Sequence, residues 1–345
     1  MINPQDIFNI SSHKQFEKMS LKVFRFQYEN NRIYNEFCNF LNTDVPKVKS
    51  LEQIPFLPIQ FFKSHHVVST THPIQETFTS SGTTSPLTPS GGNKDDSVIT
   101  SKHLVTDVSL YEQSYRTAFS SFYGNVEDYV VLALLPSYLE RNGSSLIYMV
   151  NDLIELSNNE NSGFYLRNYD ELITKLVALD NAGQNVILVG VTYALLDLIE
   201  QHKFQLKNTI IMETGGMKGK RKEIIREELH AILCKGFGVT SIHSEYGMTE
   251  LLSQAYSLGN GIFECPAWMQ VLIRDTEDAL TYVANGKTGG INVIDLANIN
   301  SCSFIATQDL GKKQPNPPAG RHAGSFEVLG RFDNSDIRGC NLMVM

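Results

Sequence analysis

The sequence has no apolar run that approaches the ~20 residues needed to cross a bilayer. Its first residues show no basic stretch followed by an apolar stretch, which is the pattern of a secretory signal. Lysine and arginine form no long block, and the formal net charge is −8, so no nucleic-acid partner is expected. These absences predict a soluble protein without integral membrane association.

Cysteine is scarce, and its spacing is typical of neither a disulfide framework nor a zinc knuckle. No two cysteines form a CxxC pair, and the five are Cys38, Cys234, Cys265, Cys302 and Cys340. An odd number at wide spacing favours a reducing, cytoplasmic location. Hydrophobic residues make up 42% and charged residues 19% of the 345 residues, which predicts a globular chain of one large domain or two ordinary ones.

Beyond residue 100, short apolar runs alternate with helical patterns. Buried strands are predicted at residues 129–135, 186–189 and 209–212. Helices are predicted at residues 144–156, 192–201 and 221–235. This alternation predicts an α/β fold with a largely parallel sheet. A smaller antiparallel β region, packed against that sheet, is predicted from strand patterns at residues 269–274, 281–284, 291–295 and 303–306.

The first part of the chain shows three further patterns. Apolar residues recur at helical intervals over residues 13–42. Residues 54–62 are apolar but contain two prolines, which favours a buried extended segment. Residues 77–101 are rich in Ser, Thr, Gly, Pro and Asp, which predicts a long loop of the kind that is often functional or mobile.

Four polar segments could carry chemistry, although each alone is also compatible with an ordinary loop or turn. Residues 79–85 offer hydroxyls and a glycine that can wrap anionic oxygens, but no lysine follows to make a GxxxxGK[ST] phosphate loop. Residues 243–250 place an acidic side chain beside a hydroxyl, which suits Mg²⁺ held against a phosphate. Residues 307–311 hold a carboxylate that could accept ribose hydroxyls, and residues 330–340 open with a Gly-Arg-x-Asp turn.

Taken in order, the four segments resemble those of the adenylate-forming ligases: a Ser/Thr/Gly loop, Tyr-Gly-x-Thr-Glu, Thr-x-Asp and Gly-Arg-x-Asp. Within that superfamily the chain most resembles the acyl-protein synthetase of the bacterial bioluminescence fatty-acid reductase. Three segments carry this finer resemblance. They read Ile-Pro-Phe-Leu-Pro-Ile-Gln-Phe-Phe-Lys-Ser-His at 54–65, Pro-Ser-Tyr-Leu-Glu-Arg-Asn-Gly-Ser-Ser-Leu-Ile-Tyr-Met at 136–149, and Gly-Arg-Phe-Asp-Asn-Ser-Asp-Ile-Arg-Gly-Cys at 330–340.

The resemblance implies the large N-terminal domain of these ligases. Residues 1–76 would pack on an adenylation core of residues 77–329, and residues 330–345 would form a truncated hinge and C-terminal segment. ATP and Mg²⁺ are the implied cofactors, and a carboxylic acid, favoured to be a fatty acid, is the implied substrate. The acyl group would pass from an acyl-adenylate to a cysteine thiol and then to a protein partner such as an acyl reductase.

The resemblance also assigns site residues. The ATP phosphates would lie against Thr79, Ser80, Ser81, Gly82, Thr83 and Thr84. The adenine would lie beside Gly215, Gly216, Tyr246 and Gly247. The ribose would be bound by Asp309 and Arg331. Thr249 would bind the α-phosphate and Glu250 the metal ion, Asp333 falls at the hinge, and Cys340 matches the cysteine that takes the acyl group. The residues assigned to catalysis are thus Thr249, Glu250, Arg331 and Cys340.

The sequence departs from the larger ligases in two ways. The loop lacks the usual Gly-x-Pro-Lys continuation, and the chain stops at Met345 without the usual C-terminal domain and its catalytic lysine. Lys94, Lys218, Lys220 or a partner subunit could supply a cation instead, and Cys340 could equally be a small residue that fills a gap. Three functions stay open: an acyl-protein synthetase, a ligase with coenzyme A or a carrier-protein thiol as acceptor, and a non-catalytic nucleotide-binding subunit.

Overall fold

Helices dominate the N-terminal part of the chain. The computed structural model describes residues 2–80, 100–136, 143–166, 168–215, 224–314 and 324–332. Its first elements are α1 (Gln5–Phe8), α2 (His13–Asn30), α3 (Arg32–Phe40), β1 (Leu57–Pro58) and α4 (Phe61–Ser64). Asn31 separates α2 from α3, because its side-chain oxygen accepts a 3.0 Å hydrogen bond from the Tyr34 N–H and so caps α3. In the described part of the chain, no helix is both long and apolar enough to cross a membrane.

A two-stranded antiparallel sheet, β2 (Glu76–Thr79) and β3 (Lys102–Val105), leads into helix α5 (Val108–Tyr123). Asp107 caps this helix, and its carboxylate accepts a 3.2 Å hydrogen bond from the Ser109 N–H. The helix ends at Gly124, whose φ of 83° lies in the region that favours glycine.

A six-stranded sheet forms the centre of the fold. Its strands are β4 (Val130–Leu134), β5 (Gly163–Tyr165), β6 (Val186–Val191), β7 (Thr209–Thr214), β8 (His243–Tyr246) and β9 (Ala255–Ser257). They lie in the order β5-β4-β6-β7-β8-β9, and neighbours are parallel except β8 and β9. The connections contain α6 (Ser145–Leu156), α7 (Tyr169–Asn181), α8 (Thr192–Gln201) and α9 (Arg226–Phe237). Every residue of β4 and β6 is buried, as expected for parallel strands covered on both faces.

A second sheet is mainly antiparallel. Its strands are β10 (Ile262–Phe263), β11 (Met269–Arg274), β12 (Gly289–Asp295), β13 (Phe304–Lys313) and β14 (Phe326–Arg331), in the order β10-β14-β13-β12-β11, and β1 joins β13 in parallel. Phe304 of β13 packs against the rings of Phe24 and Tyr34 from the N-terminal helices, with centroid distances of 6.3 and 6.1 Å. One hydrophobic core therefore joins the N-terminal helices to this sheet.

A buried polar side chain also fixes helix α2 to the second sheet. The Gln27 amide nitrogen donates to the carbonyls of Asn298 and Ile299, each at 3.0 Å, and its oxygen accepts from the Ser303 N–H at 2.9 Å. The Asn298 side chain in turn donates to the Glu250 carbonyl at 2.8 Å. Helix α2 is thus connected, through the turn before β13, to the loop that follows β8.

The α/β fold and the strands predicted at 129–135, 186–189 and 209–212 are confirmed. Four local predictions are wrong, each in part or in full. The helix predicted at 13–42 is broken by its cap at Asn31. The segment at 54–62 is a strand only at Leu57–Pro58 and then turns into α4. Residues 281–284 form no strand, because Tyr282 makes only an isolated bridge to Arg274. The segment expected as a loop at 77–101 begins within strand β2.

We expect Gln27→Met to lower the free energy of unfolding by about 3 kcal/mol, because it leaves the Ile299 carbonyl and the Ser303 N–H buried without the partner that Gln27 supplies, at ~1–3 kcal/mol for an unsatisfied group. Urea unfolding followed by circular dichroism measures this change. Lys22→Met, at an exposed position of the same helix, is the control and should change stability by less than about 0.5 kcal/mol. An equal effect of the two substitutions would contradict the role given to Gln27.

Candidate active site

The carboxyl ends of β6, β7 and β8 meet at one edge of the parallel sheet, where the second sheet also arrives. Crevices at this edge are the usual ligand sites of open α/β sheets. Tyr246 ends β8, and Asp309 and Arg331 lie opposite each other in the pairing of β13 with β14. Residues that are distant in the sequence therefore converge between the two sheets.

Tyr246, Asp309 and Arg331 form one hydrogen-bonded cluster. The Tyr246 hydroxyl donates to one Asp309 carboxylate oxygen at 2.8 Å, and Arg331 Nε donates to the other at 3.2 Å. Burial raises the pKa of Tyr246 well above its usual range, and the Asp309 charge adds to this, so the tyrosine stays a donor. A carboxylate can accept about four hydrogen bonds, so Asp309 keeps capacity for the two hydroxyls of a ribose.

Glu250 lies beside the start of the Ser/Thr/Gly loop. Ser80 and Ser101 bond each other through the Ser80 N–H (3.0 Å to the Ser101 carbonyl) and the Ser101 N–H (2.9 Å to the Ser80 hydroxyl). Burial raises the pKa of Glu250, while a hydrogen bond from Ser101 and the charges of Arg331 and Lys63 act in the opposite direction. Glu250 is 5% exposed. Lys63 is thus a cation near the site that the sequence analysis had not considered.

Buried side chains form hydrogen bonds with the backbone carbonyls of Thr249 and Glu250. His103 Nδ1 lies 2.9 Å from the Thr249 carbonyl, and burial lowers the pKa of this histidine to about 4. Because a carbonyl only accepts, the neutral ring must carry its proton on Nδ1. Together with the Asn298 bond to the Glu250 carbonyl, this fixes the backbone of the pair, and the Thr249 side chain stays partly exposed.

The end of β7 is fixed by a buried acid. Thr192 donates to Glu213 at 3.0 Å and to the Gly215 carbonyl at 3.1 Å, and Gly215 has a φ of 66°. Burial alone would raise the pKa of Glu213, yet hydrogen bonding and charge from His230 and Arg226 hold it below its usual value. Gly215 therefore sits on a firmly held turn at the sheet edge.

A second acid, Glu245, lies next to Tyr246 on the opposite face of β8, and the sequence analysis did not single it out. Thr214 donates to its carboxylate at 2.5 Å, and burial raises the pKa of Glu245 to about 7. A Cβ atom built on Gly247 would lie only 2.4 Å from Glu245 Oε1, so glycine alone fits at that position while the carboxyl keeps its place. The sequence signal available was an acid between two hydroxyl-bearing residues, Ser244 and Tyr246, of a short strand.

Several assigned residues lie outside the described part of the chain: Ser81, Gly82, Thr83, Thr84, Gly216, Asp333 and Cys340, with the candidate cations Lys94, Lys218 and Lys220. Among the described residues, no three His, Cys, Asp or Glu side chains form a metal cluster. Magnesium, however, is often bound through one or two carboxylates together with substrate phosphates, and Glu250 fits that mode.

Solved structures with a similar fold are adenylate-forming ligases. An open conformation of 2-hydroxyisobutyryl-CoA ligase, in complex with 2-HIB-AMP and CoA, has a TM-score of 0.64 at 12% identity, over 93% of this chain and 70% of that one. Its postadenylation state, in complex with 2-HIB-AMP, has a TM-score of 0.65 at 12% identity, over 94% and 69%. ATP-bound MatB from Rhodopseudomonas palustris has a TM-score of 0.51 at 16% identity, over 74% and 47%. The chain therefore has the adenylate-forming ligase fold.

The amino-acid sequence identifies a family within this class of ligases. A sequence model of the LuxE acyl-protein synthetase family matches residues 148–345. The chain belongs to the LuxE acyl-protein synthetase family. No curated protein sequence matches it significantly.

We expect Glu245→Gln to stabilise the protein above pH 7 and to change nothing at pH 4. The folded-state pKa is raised from an ordinary 4.5 to about 7, so ionisation of Glu245 costs stability as the pH rises between these values. The gain should not exceed about 3.5 kcal/mol, since one pKa unit corresponds to ~1.4 kcal/mol. Urea unfolding at pH 4, 6 and 8 measures it. The exposed Glu277→Gln is the control, and a gain at pH 4 equal to that at pH 8 would contradict the assignment.

Proposed function

We propose that this chain activates a carboxylic acid with ATP, forming an acyl-adenylate and pyrophosphate. The observation that supports this most is the cluster of Tyr246, Asp309 and Arg331 beside Glu250, because the Asp309 carboxylate could accept ribose hydroxyls close to an acid that could hold Mg²⁺. In this proposal residues 77–329 are the adenylation core, residues 1–76 pack on it, and residues 330–345 include the hinge.

Each residue would have one task. Asp309 would accept the ribose hydroxyls, and Arg331 and Tyr246 would hold its carboxylate in place. Thr249 would donate to the α-phosphate, and the start of the Ser/Thr/Gly loop would donate to the outer phosphates. Glu250 would hold Mg²⁺, which would neutralise phosphate charge, and Lys63 is a further cation that could assist the reaction.

The reaction needs this set of donors because charge develops on phosphorus. A carboxylate oxygen of the acid attacks the α-phosphorus, a P–O bond forms, and the bond to the leaving pyrophosphate breaks. Donors that are already fixed before the reaction stabilise this charge without reorganising. His103 and Asn298 would fix the backbone of Thr249 and Glu250 for that purpose.

We further propose that the acyl group moves to the thiol of Cys340 and then to a protein partner such as an acyl reductase, with a fatty acid as the first candidate substrate. The thiolate would attack the acyl carbonyl, a thioester would form, and AMP would leave. Membership of the acyl-protein synthetase family supports this acceptor. Coenzyme A is a second candidate acceptor, because a similar structure is a CoA ligase in complex with CoA.

We expect the purified chain, with Mg²⁺, to exchange labelled pyrophosphate into ATP only when a suitable carboxylic acid is present. Asp309→Asn should raise the KM for ATP about 10- to 100-fold, since charge-assisted hydrogen bonds contribute ~1.5–3 kcal/mol. Glu250→Gln should lower kcat with a smaller effect on that KM. Asp170→Asn, at an exposed position of α7, is the control. A folded chain that binds ATP but shows no exchange with any acid would support the non-catalytic alternative.

Acylation of Cys340 is tested separately. Incubation with ATP and a labelled acid should give a protein-bound label that neutral hydroxylamine releases, as expected for a thioester. Cys340→Ser should abolish this label and leave pyrophosphate exchange unchanged, because exchange reports only the first half-reaction. Cys234→Ser is the matched control. A hydroxylamine-labile label that persists in Cys340→Ser would exclude this acceptor.

A further inference from the structure

Thr249 and Glu250 occupy the two central positions of a tight turn that follows β8. The Leu251 N–H donates to the Met248 carbonyl at 3.0 Å and closes this turn. Residues 251–257, which continue the chain, are all buried. Their backbone N–H groups need acceptors, because an unpaired N–H away from water costs about as much as a lost hydrogen bond. The direction in which the chain leaves the turn therefore depends on the group that accepts these N–H groups.

Asp295, the last residue of β12, accepts the first two of them. Its Oδ2 oxygen accepts the N–H groups of Leu252 and Ser253 at 2.8 and 2.9 Å. Its Oδ1 oxygen accepts the Ser253 hydroxyl at 2.5 Å and the Ala297 N–H at 3.1 Å. A carboxylate can accept about four hydrogen bonds, so the fully buried Asp295 has its whole capacity used.

Asp295 is ionised at neutral pH. Burial raises the pKa of Asp295 to about 6, and the hydrogen bonds from Ser253, Leu252 and Ala297 act in the opposite direction. A proton on the carboxyl would also have to displace one of these four donors. The exit of the turn is therefore held by a charged acceptor, whose bonds to N–H groups are stronger than those of a neutral acceptor.

Trp268 fixes Ser253 from the other side. Its Nε1 donates to the hydroxyl oxygens of Ser253 and Ser114, each at 3.0 Å. Because the indole N–H only donates, the Ser253 hydroxyl accepts from Trp268 and gives its own proton to Asp295. The Trp268 ring is buried and packs edge-on against Phe8 at a centroid distance of 5.0 Å. The exit of the turn is thus joined to β12 and, through Ser114, to α5.

We propose that Asp295 is a positioning residue for acid activation: its carboxylate fixes the exit of the turn and thereby the places of Thr249 and Glu250. This inference rests on the proposed function, in which Thr249 binds the α-phosphate and Glu250 holds Mg²⁺. Reacting groups need such support from buried hydrogen bonds behind them. The hydrogen bond of Tyr246 to Asp309 lies outside this network, so ATP binding should depend less on Asp295 than the chemical step does.

Pyrophosphate exchange into ATP, with Mg²⁺ and a carboxylic acid that supports it, separates binding from chemistry. Asp295→Leu removes every acceptor and should lower kcat about 100-fold, as a displacement of ~1 Å at the reacting groups does. Asp295→Asn keeps one oxygen for the N–H groups of Leu252 and Ser253 and should lower kcat less, about tenfold, since these bonds lose only their charge assistance. The KM for ATP should rise less than about threefold in both, because the loss is confined to the chemical step.

Asp180→Asn is the matched control. Asp180 is also buried, and its carboxylate accepts the N–H groups of Lys207 and Asn208 and the Thr209 hydroxyl, at 3.1, 2.8 and 2.8 Å. It lies at the amino end of β7, whereas the candidate site lies at the carboxyl ends of the strands. Asp180→Asn should therefore lower stability as Asp295→Asn does, measured by urea unfolding, and keep kcat. Where Asp295→Leu does not fold, the two asparagine variants make the comparison.

Isothermal titration calorimetry adds a readout that does not need turnover. Because Glu250 would hold Mg²⁺, the ion should tighten ATP binding to the unsubstituted chain at least about fivefold. Asp295→Asn should reduce this gain, as Glu250→Gln does. The affinity for adenosine should stay unchanged in both variants, since adenosine has no phosphate to reach the turn.

The outcomes separate this inference from the proposed function. Acid-dependent exchange with an unchanged kcat in the Asp295 variants, or with an equal loss of kcat in Asp180→Asn, would overturn the inference and leave adenylate formation standing. Absence of exchange with any acid in the folded, unsubstituted chain would reject the proposed function and the inference with it. A loss of kcat confined to the Asp295 variants supports both.

Discussion

The site depends on the hydrogen bond between Tyr246 and Asp309, because it joins the end of the parallel sheet to the middle of the antiparallel one. Each sheet alone carries only part of the cluster: Tyr246 comes from β8, and Asp309 faces Arg331 across β13 and β14. Burial keeps the tyrosine protonated over the whole physiological pH range, so Tyr246 stays a hydrogen-bond donor to Asp309. Hydrogen bonds therefore hold the side chains between the two sheets in fixed positions, as a nucleotide-binding site requires.

Buried side chains that would touch no ligand hold the loop after β8. Asp295 of β12 accepts the N–H groups of Leu252 and Ser253 at 2.8 and 2.9 Å, and His103 and Asn298 bind the carbonyls just before them. These supports come from β3, β12 and the turn before β13, so the loop is fixed by regions far apart in the sequence.

The sequence predicted what depends on local patterns. The buried strands of the parallel sheet were recognisable because both faces are covered, which makes them continuous apolar runs. Helix α7 was not predicted, and the helix at 13–42 was not expected to break, since a cap such as Asn31 resembles any other polar residue. Tyr246, Asp309 and Arg331 were assigned by the order of their motifs. That they touch could not be predicted, because Tyr246 and Asp309 are 63 residues apart and a register irregularity follows Asp309 in the pairing of β13 with β14.

The alternation of side chains along β8 explains why one four-residue strand makes two different sets of contacts. Ser244 and Tyr246 face the Glu213 and Asp309 side, whereas Glu245 faces Thr214 and the tyrosines of α5. A register slip by one residue would exchange the two sets, placing an acid against Asp309 and a phenol against Thr214. The pairing of β8 with β7 and β9 therefore sets the contacts on both faces of the strand at once. Gly247 follows the last residue of β8, and it must lack a side chain because a Cβ atom there would meet the Glu245 carboxyl. It lies two residues before Thr249, the residue proposed to bind the α-phosphate.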